Sequence, residues 1–128
     1  MTRTLLVLGC ISAGLAVTAG AFGAHSLRGS VTPEMLDVFE TACRYQMYHA
    51  FALFLLAWAS SQGQVYGQRL LRIAAGCFVA GTILFSGSLY GYVLSGARWL
   101  VFLTPVGGFF FVAGWVASSF LFWVRRKL

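Results

Sequence analysis

Residues 4–27 read TLLVLGCISAGLAVTAGAFGAHSL, twenty-four positions between Arg3 and Arg28 without one charged side chain. At about 1.5 Å per helical residue the stretch reaches roughly 36 Å, enough to cross a hydrocarbon core of about 30 Å. Three more stretches match it: 24 residues between Arg44 and Arg69, 25 between Arg72 and Arg98, and 26 between Arg98 and Arg125. Buried strands end after four to eight residues, and the alternation of a membrane barrel is absent, so helices are the only reading that fits this length. The sequence therefore predicts an all-α, integral membrane four-helix bundle in one domain, residues 1–128, with spans at about 4–22, 42–60, 73–94 and 99–124.

Composition agrees. Of 128 residues 59% are hydrophobic, 9% are charged and 16% are aromatic, and mean hydropathy is +0.82. Those values exclude a disordered chain and leave too little charge to coat a water-soluble globule. The formal net charge of +6 acts as a topology signal. With four crossings, Arg3, Arg69, Arg72, Arg125, Arg126 and Lys127 share one side, and Arg28, Arg44, Arg98 and all three acids share the other. The positive-inside rule then places both termini in the cytoplasm. Because the basic residues punctuate membrane edges instead of gathering on one face, nucleic acid is not an expected partner. Arg3 and AGAFGA resemble a signal peptide, and LVLGC a lipoprotein box. The first apolar run is too long for the one, and Cys10 comes too early for the other.

The spans carry different faces. Span one sets Gly9, Ala13, Ala16, Gly20 and Gly23 at alternating spacings of four and three, a seam that lets helices approach closely in lipid. Thr32, Pro33 and Glu34 read as N-cap, first helical residue and early acid of a second helix, which runs through an interfacial segment into the bilayer. At about 100° per residue from Glu34, Asp37, Glu40, Arg44, Tyr48, Tyr45 and His49 fall in one polar sector between 240° and 60°, with Gln46 off it near 120°. Glu40 and Arg44 stand in the favourable order for a helical ion pair. Arg44, Gln46 and His49 enter the membrane and are expected to face the bundle.

Span three carries Gly87-x-x-x-Gly91, a second packing motif, beside Ser86, Ser88, Tyr90 and Tyr92. Span four contains Thr104, Pro105, Gly107 and Gly108, where the proline predicts a kink or unwound stretch. His25, Glu40, Arg44, Tyr45, Gln46, Tyr48, His49, Ser86, Ser88, Tyr90, Thr104 and Pro105 are all expected near the outer leaflet. The inner halves, LLVLGCIS, FALFLLAW, IAAGCFVAG and SSFLFWV, are mostly apolar. That asymmetry suits a one-sided binding or packing cluster and disfavours a through-channel.

GAFGAHSL, FETACRYQMYHAFAL, LFSGSLYGYVLSG and LTPVGGFFFVAGW resemble, in order, the blocks of the domain-of-unknown-function-423 family, which includes the transmembrane-protein-256-like proteins. The resemblance spans nearly the whole chain. It implies a small bacterial inner-membrane protein with mitochondrial relatives and brings no catalytic residue to carry over.

The chemistry readings are three. The leading one is a non-catalytic bundle whose polar cluster fixes its packing and docks a membrane-protein partner, a second copy or lipid, as a homo-oligomer or a subunit of a larger complex. A transporter or proton-linked carrier built on Glu40, Arg44, His49 and a broken span four is the alternative. A metal or haem site on His25 and His49, or an intramembrane enzyme using Ser86 or Ser88 with His49 and Glu40, comes last, because no ligand spacing or nucleophile motif supports it. No cofactor is expected, and three cysteines without paired spacing do not form a disulfide framework.

Overall fold

The computed structural model describes residues 1–62 and 67–125, the last as backbone only. Arg126, Lys127 and the side chain of Arg125, which entered the charge count, lie outside the described residues. The chain is all-helical: α1 (Thr2–Phe22) with a π turn (Gly23–Leu27), α2 (Pro33–Ser61), α3 (Gln68–Gly81), a π segment (Thr82–Ser86) leading into α4 (Gly87–Ser95), and a 3-10 turn (Arg98–Phe102) leading into α5 (Leu103–Arg125). These form four rods. Three of them, Thr2–Leu27, Gln68–Ser95 and Arg98–Val124, are apolar enough along their length to cross a membrane. The rod of α2 is long enough but carries Glu34, Asp37, Glu40, Arg44, Gln46 and His49, which lower its hydropathy.

Local chemistry sets the ends. Gly29 adopts φ 86° in the turn after α1, a conformation costly for any residue with a Cβ. The Thr32 hydroxyl then accepts from Met35 N–H, with Pro33 at the helix start, as the sequence predicts. Hydrogen bonds from its own backbone N–H and from Thr32 hold the exposed Glu34 carboxyl below its ordinary value.

Packing is lopsided. The α2, α3 and α5 helices share an apolar core through Leu56, Leu71, Phe78, Phe111 and Leu121; Leu56, Phe78 and Leu121 come from the stretches that the sequence marks as apolar, Leu71 and Phe111 from outside them. Glycines there receive rings: a Cβ on Gly81 would stand 2.5 Å from Phe111, and one on Gly114 2.6 Å from Phe78. By contrast, α1 packs on α2 and makes no comparable contact with α3, α4 or α5. Its contact stripe is Leu5, Gly9, Ala16 and Gly23, with Gly9 under the Phe54 ring and Gly23 under Phe39.

Three expectations are corrected here. The small-residue seam is narrower than predicted: Ala13 is only half-buried, and a Cβ on Gly20 or Gly87 would meet nothing within 4 Å. Gly91 does pack, against Leu100, and Gly107 lies against the backbone of Leu84 and Phe85, while Gly108 makes an ordinary contact with the Phe85 ring. Pro105 does not break span four. It occupies the first turn of α5, where its missing N–H has no helical acceptor to lose. Span four is irregular ahead of the proline, in its 3-10 turn, and span three is irregular where Gly87 N–H reaches back five residues to Thr82 O.

Candidate functional site

The predicted polar sector of α2 splits in two. Ala42, Gln46, His49 and Leu53 are buried, on a face centred near 90° in the angular frame used above, whereas Arg44, Tyr48 and Asp37, near 280° to 320°, are exposed. Arg44 therefore does not face the bundle. Its guanidinium lies 3.7 Å from Glu40, both side chains about half exposed, and an accessible pair of this kind adds little stability. Tyr45, though 40% exposed, lays its ring on Phe85 at 4.7 Å between centroids.

The buried side chains are committed to one another. Ser86 donates to Ala42 O at 2.8 Å, joining the π segment to α2. Ser88 and Thr104 share a hydrogen bond of 2.8 Å, joining α4 to α5. Gln46 reaches both sides: its Nε2 donates to Ser12 O of α1 at 3.1 Å, and its Oε1 accepts from Tyr90 Oη of α4 at 2.8 Å.

His49 is buried among rings. Its Nδ1 lies 2.7 Å from Tyr45 O, and its Nε2 lies 3.3 Å from Trp115 Nε1. A carbonyl can only accept and an indole N–H can only donate, so these neighbours assign the neutral tautomer with the proton on Nδ1. The imidazole lies flat on Phe111, centroids 3.4 Å apart and planes 3° from parallel, with Phe78 at 5.5 Å. Trp115, Phe111, Phe78 and Ser12 were not singled out from sequence. Phe111 and Trp115 are four apart in GFFFVAGW, a helical-face signal that could have paired them with a buried polar group, though not with His49 in particular.

Other candidates stay apart. His25 is exposed in the π turn after α1, away from buried His49, and Tyr48 and Pro105 are exposed as well. Among the described residues no three His, Cys, Asp or Glu side chains gather into a metal-holding group, and the cysteines are free. The nucleophile reading is not assembled, since Ser86, Ser88, His49 and Glu40 each bond to something other than one another. Thr104, Pro105, Gly107 and Gly108, where the carrier reading needs a break, lie within the helix α5.

What the arrangement does create is a cleft. Because α1 packs mainly on α2, the space between α1 and the α3–α4 rod stays open-sided, with a volume of about 750 Å³. Leu8, Ile11, Leu15 and Phe22 form one wall; Val79, Ile83, Gly87 and Leu94 form the other. Phe39, Gln46 and Leu53, seven residues apart on α2, make the floor. Toward one end rings line the floor, Phe22 against Phe39 at 6.1 Å and Phe39 against Tyr90 at 4.9 Å. Gln46, bonded to both walls, fixes the width.

Residues 19–108 match the family described as "Protein of unknown function (DUF423)". A UPF0382 membrane protein of Staphylococcus aureus is 40% identical over 116 residues, covering 89% of this chain and 90% of its own. The UPF0382 membrane protein YwdK of Bacillus subtilis is 39% identical over 89% of this chain and 91% of its own, and a Staphylococcus haemolyticus relative is 35% identical over 94% and 98%. No solved structure matches. With its helices, its blocks and these relatives in agreement, the chain belongs to the DUF423 family of membrane proteins.

Proposed function

We propose that this protein crosses the bacterial inner membrane four times, with both termini in the cytoplasm, and acts without catalysis by docking a membrane lipid in the cleft between α1 and α4. The four-span reading is supported by the four rods and by the charges: Arg3, Arg69 and Arg72 fall at one set of rod ends, and Arg28, Arg98 and the acids at the other. The polar residues of α2 enter the bilayer on a face where Gln46 and His49 are covered and hydrogen-bonded, which removes most of their transfer cost.

The observation that carries the docking reading is the cleft itself: about 750 Å³, open to one side and lined almost wholly by carbon. At bilayer depth water is not available to fill such a volume. An acyl chain is, and it matches the lining.

Gly87 supplies the test. It has ordinary helical torsions, φ -60° and ψ -42°, and a Cβ there meets nothing, so Gly87→Phe grows into the cleft without disturbing the bundle. Native mass spectrometry after a delipidating detergent wash is expected to find one lipid retained by the wild-type protein and none by Gly87→Phe, with thermal midpoints alike. Absence of retained lipid on the wild-type protein, or equal retention by the variant, overturns the reading. If Gly87→Phe instead dissolves a dimer, the occupant is a second copy.

A further inference from the structure

We infer that the lipid in the cleft is an anionic phospholipid whose phosphate lies between Arg28 and Arg98. The inference rests on the docking reading above and adds the class of headgroup. Each wall of the cleft runs into an arginine at the same end. On α1 the lining ends at Phe22 and the chain reaches Arg28 through the π turn; on α4 it ends at Leu94 and reaches Arg98 after Gly96. These two exits are held together, because Leu27, next to Arg28, packs with Phe39 and Val93 in one apolar cluster.

Both arginines are exposed, and neither has a salt bridge among the described residues, where the ion pair is Glu40–Arg44. The nearby acids are turned aside. Taking Phe39 as the direction of the cleft, Glu40, Asp37 and Glu34 stand about 100° to 220° around α2, and Arg44, near 140°, is occupied by Glu40. A guanidinium on each wall with no carboxylate on the cleft side matches a phosphodiester, which a planar N–H fork binds with charge-assisted hydrogen bonds. A choline headgroup cancels much of that attraction with its own cation; a glycerol headgroup does not.

The test uses the full-length protein in nanodiscs of equal phosphatidylglycerol and phosphatidylcholine with identical chains, and reads the composition of the lipid retained after detergent extraction. The wild-type protein is expected to enrich phosphatidylglycerol about fivefold. Arg28→Gln with Arg98→Gln is expected to return the ratio to that of the bilayer while one lipid is still retained, and Arg28→Lys with Arg98→Lys to keep part of the preference. Should the double glutamine variant fail to fold, each single substitution is expected to lower the enrichment by itself. A retained lipid with the composition of the bilayer, or an enrichment that survives loss of both arginines, overturns the inference and leaves the docking reading standing. The docking reading fails separately, when no lipid is retained or when Gly87→Phe retains as much.

Discussion

The two flanks of α2 are built on opposite principles. Toward α3, α4 and α5 the contacts are close: rings sit on Gly81 and Gly114, the π segment presses its backbone onto Gly107, and His49 lies flat on Phe111. Toward α1 the contact is one stripe, and beside it lies a cleft spanned by a single amide side chain. Small residues occur on both flanks, so their presence does not specify tight packing. What differs is the neighbour. Where another helix stands opposite, the missing side chain admits it; where none stands opposite, as at Gly87 and Gly20, the missing side chain leaves room.

The contrast is broken most severely at Gly107. Its added Cβ would meet backbone atoms of Phe85 and Leu84, which cannot rotate away. Gly107→Ala is expected to cost about 3 kcal/mol, the upper part of the overpacking range, read as a lower unfolding midpoint in detergent and poor recovery. A Gly107→Ala protein with the wild-type midpoint would mean that the tight flank is no tighter than the open one. The middle case is Gln46→Leu, which keeps the volume but removes the bonds to both walls. A loss of about 1 kcal/mol is expected, with hydrogen exchange faster in α1 than in α5; uniform exchange would deny that the amide holds the cleft. The smallest effect is predicted for Gly20→Ala on the open flank, within about 0.5 kcal/mol of wild type. A large loss there would reveal a helix packed on that face.

Much of this fold was legible in the charges. Arg3, Arg28, Arg44, Arg69, Arg72, Arg98 and Arg125 bracket the apolar stretches closely enough to find the rods, and Thr32-Pro33-Glu34 marked the start of α2. The apolar stretches FALFLLAW, IAAGCFVAG and SSFLFWV contribute to the shared core, whereas LLVLGCIS of α1 gives it Leu5 alone. The candidate site was legible only in part. A helical wheel gathers polar residues by angle but does not reveal which side of the wheel meets a neighbour, and so Arg44 and His49 fell in one sector although one is exposed and the other buried. Gln46 stood off that sector, and the angle was right, but its bonds to Ser12 and Tyr90 cross 34 and 44 residues and leave no local mark. The contact between His49 and Trp115 spans 66 residues and is equally silent in sequence. Pro105 was misread because a proline is judged by its position in a helix, and the 3-10 turn from Arg98 moves the start of α5 to Leu103.

The π segment at Thr82–Ser86 has a structural consequence of its own. A π turn holds one surplus residue, so the stretches before and after it are phased independently, as though a spacer had been slipped between two gears. The upstream stretch aims Phe78 into the apolar core, while the downstream stretch aims Ser88 at Thr104 and Tyr90 at Gln46. Deleting a single residue there would restore an uninterrupted α-helix of almost the same hydrophobicity and length. Because the residue lost is the surplus one, the far half would keep its facing and both interhelical latches, whereas the same deletion in an uninterrupted helix would turn it by about 100° and misalign the two at once.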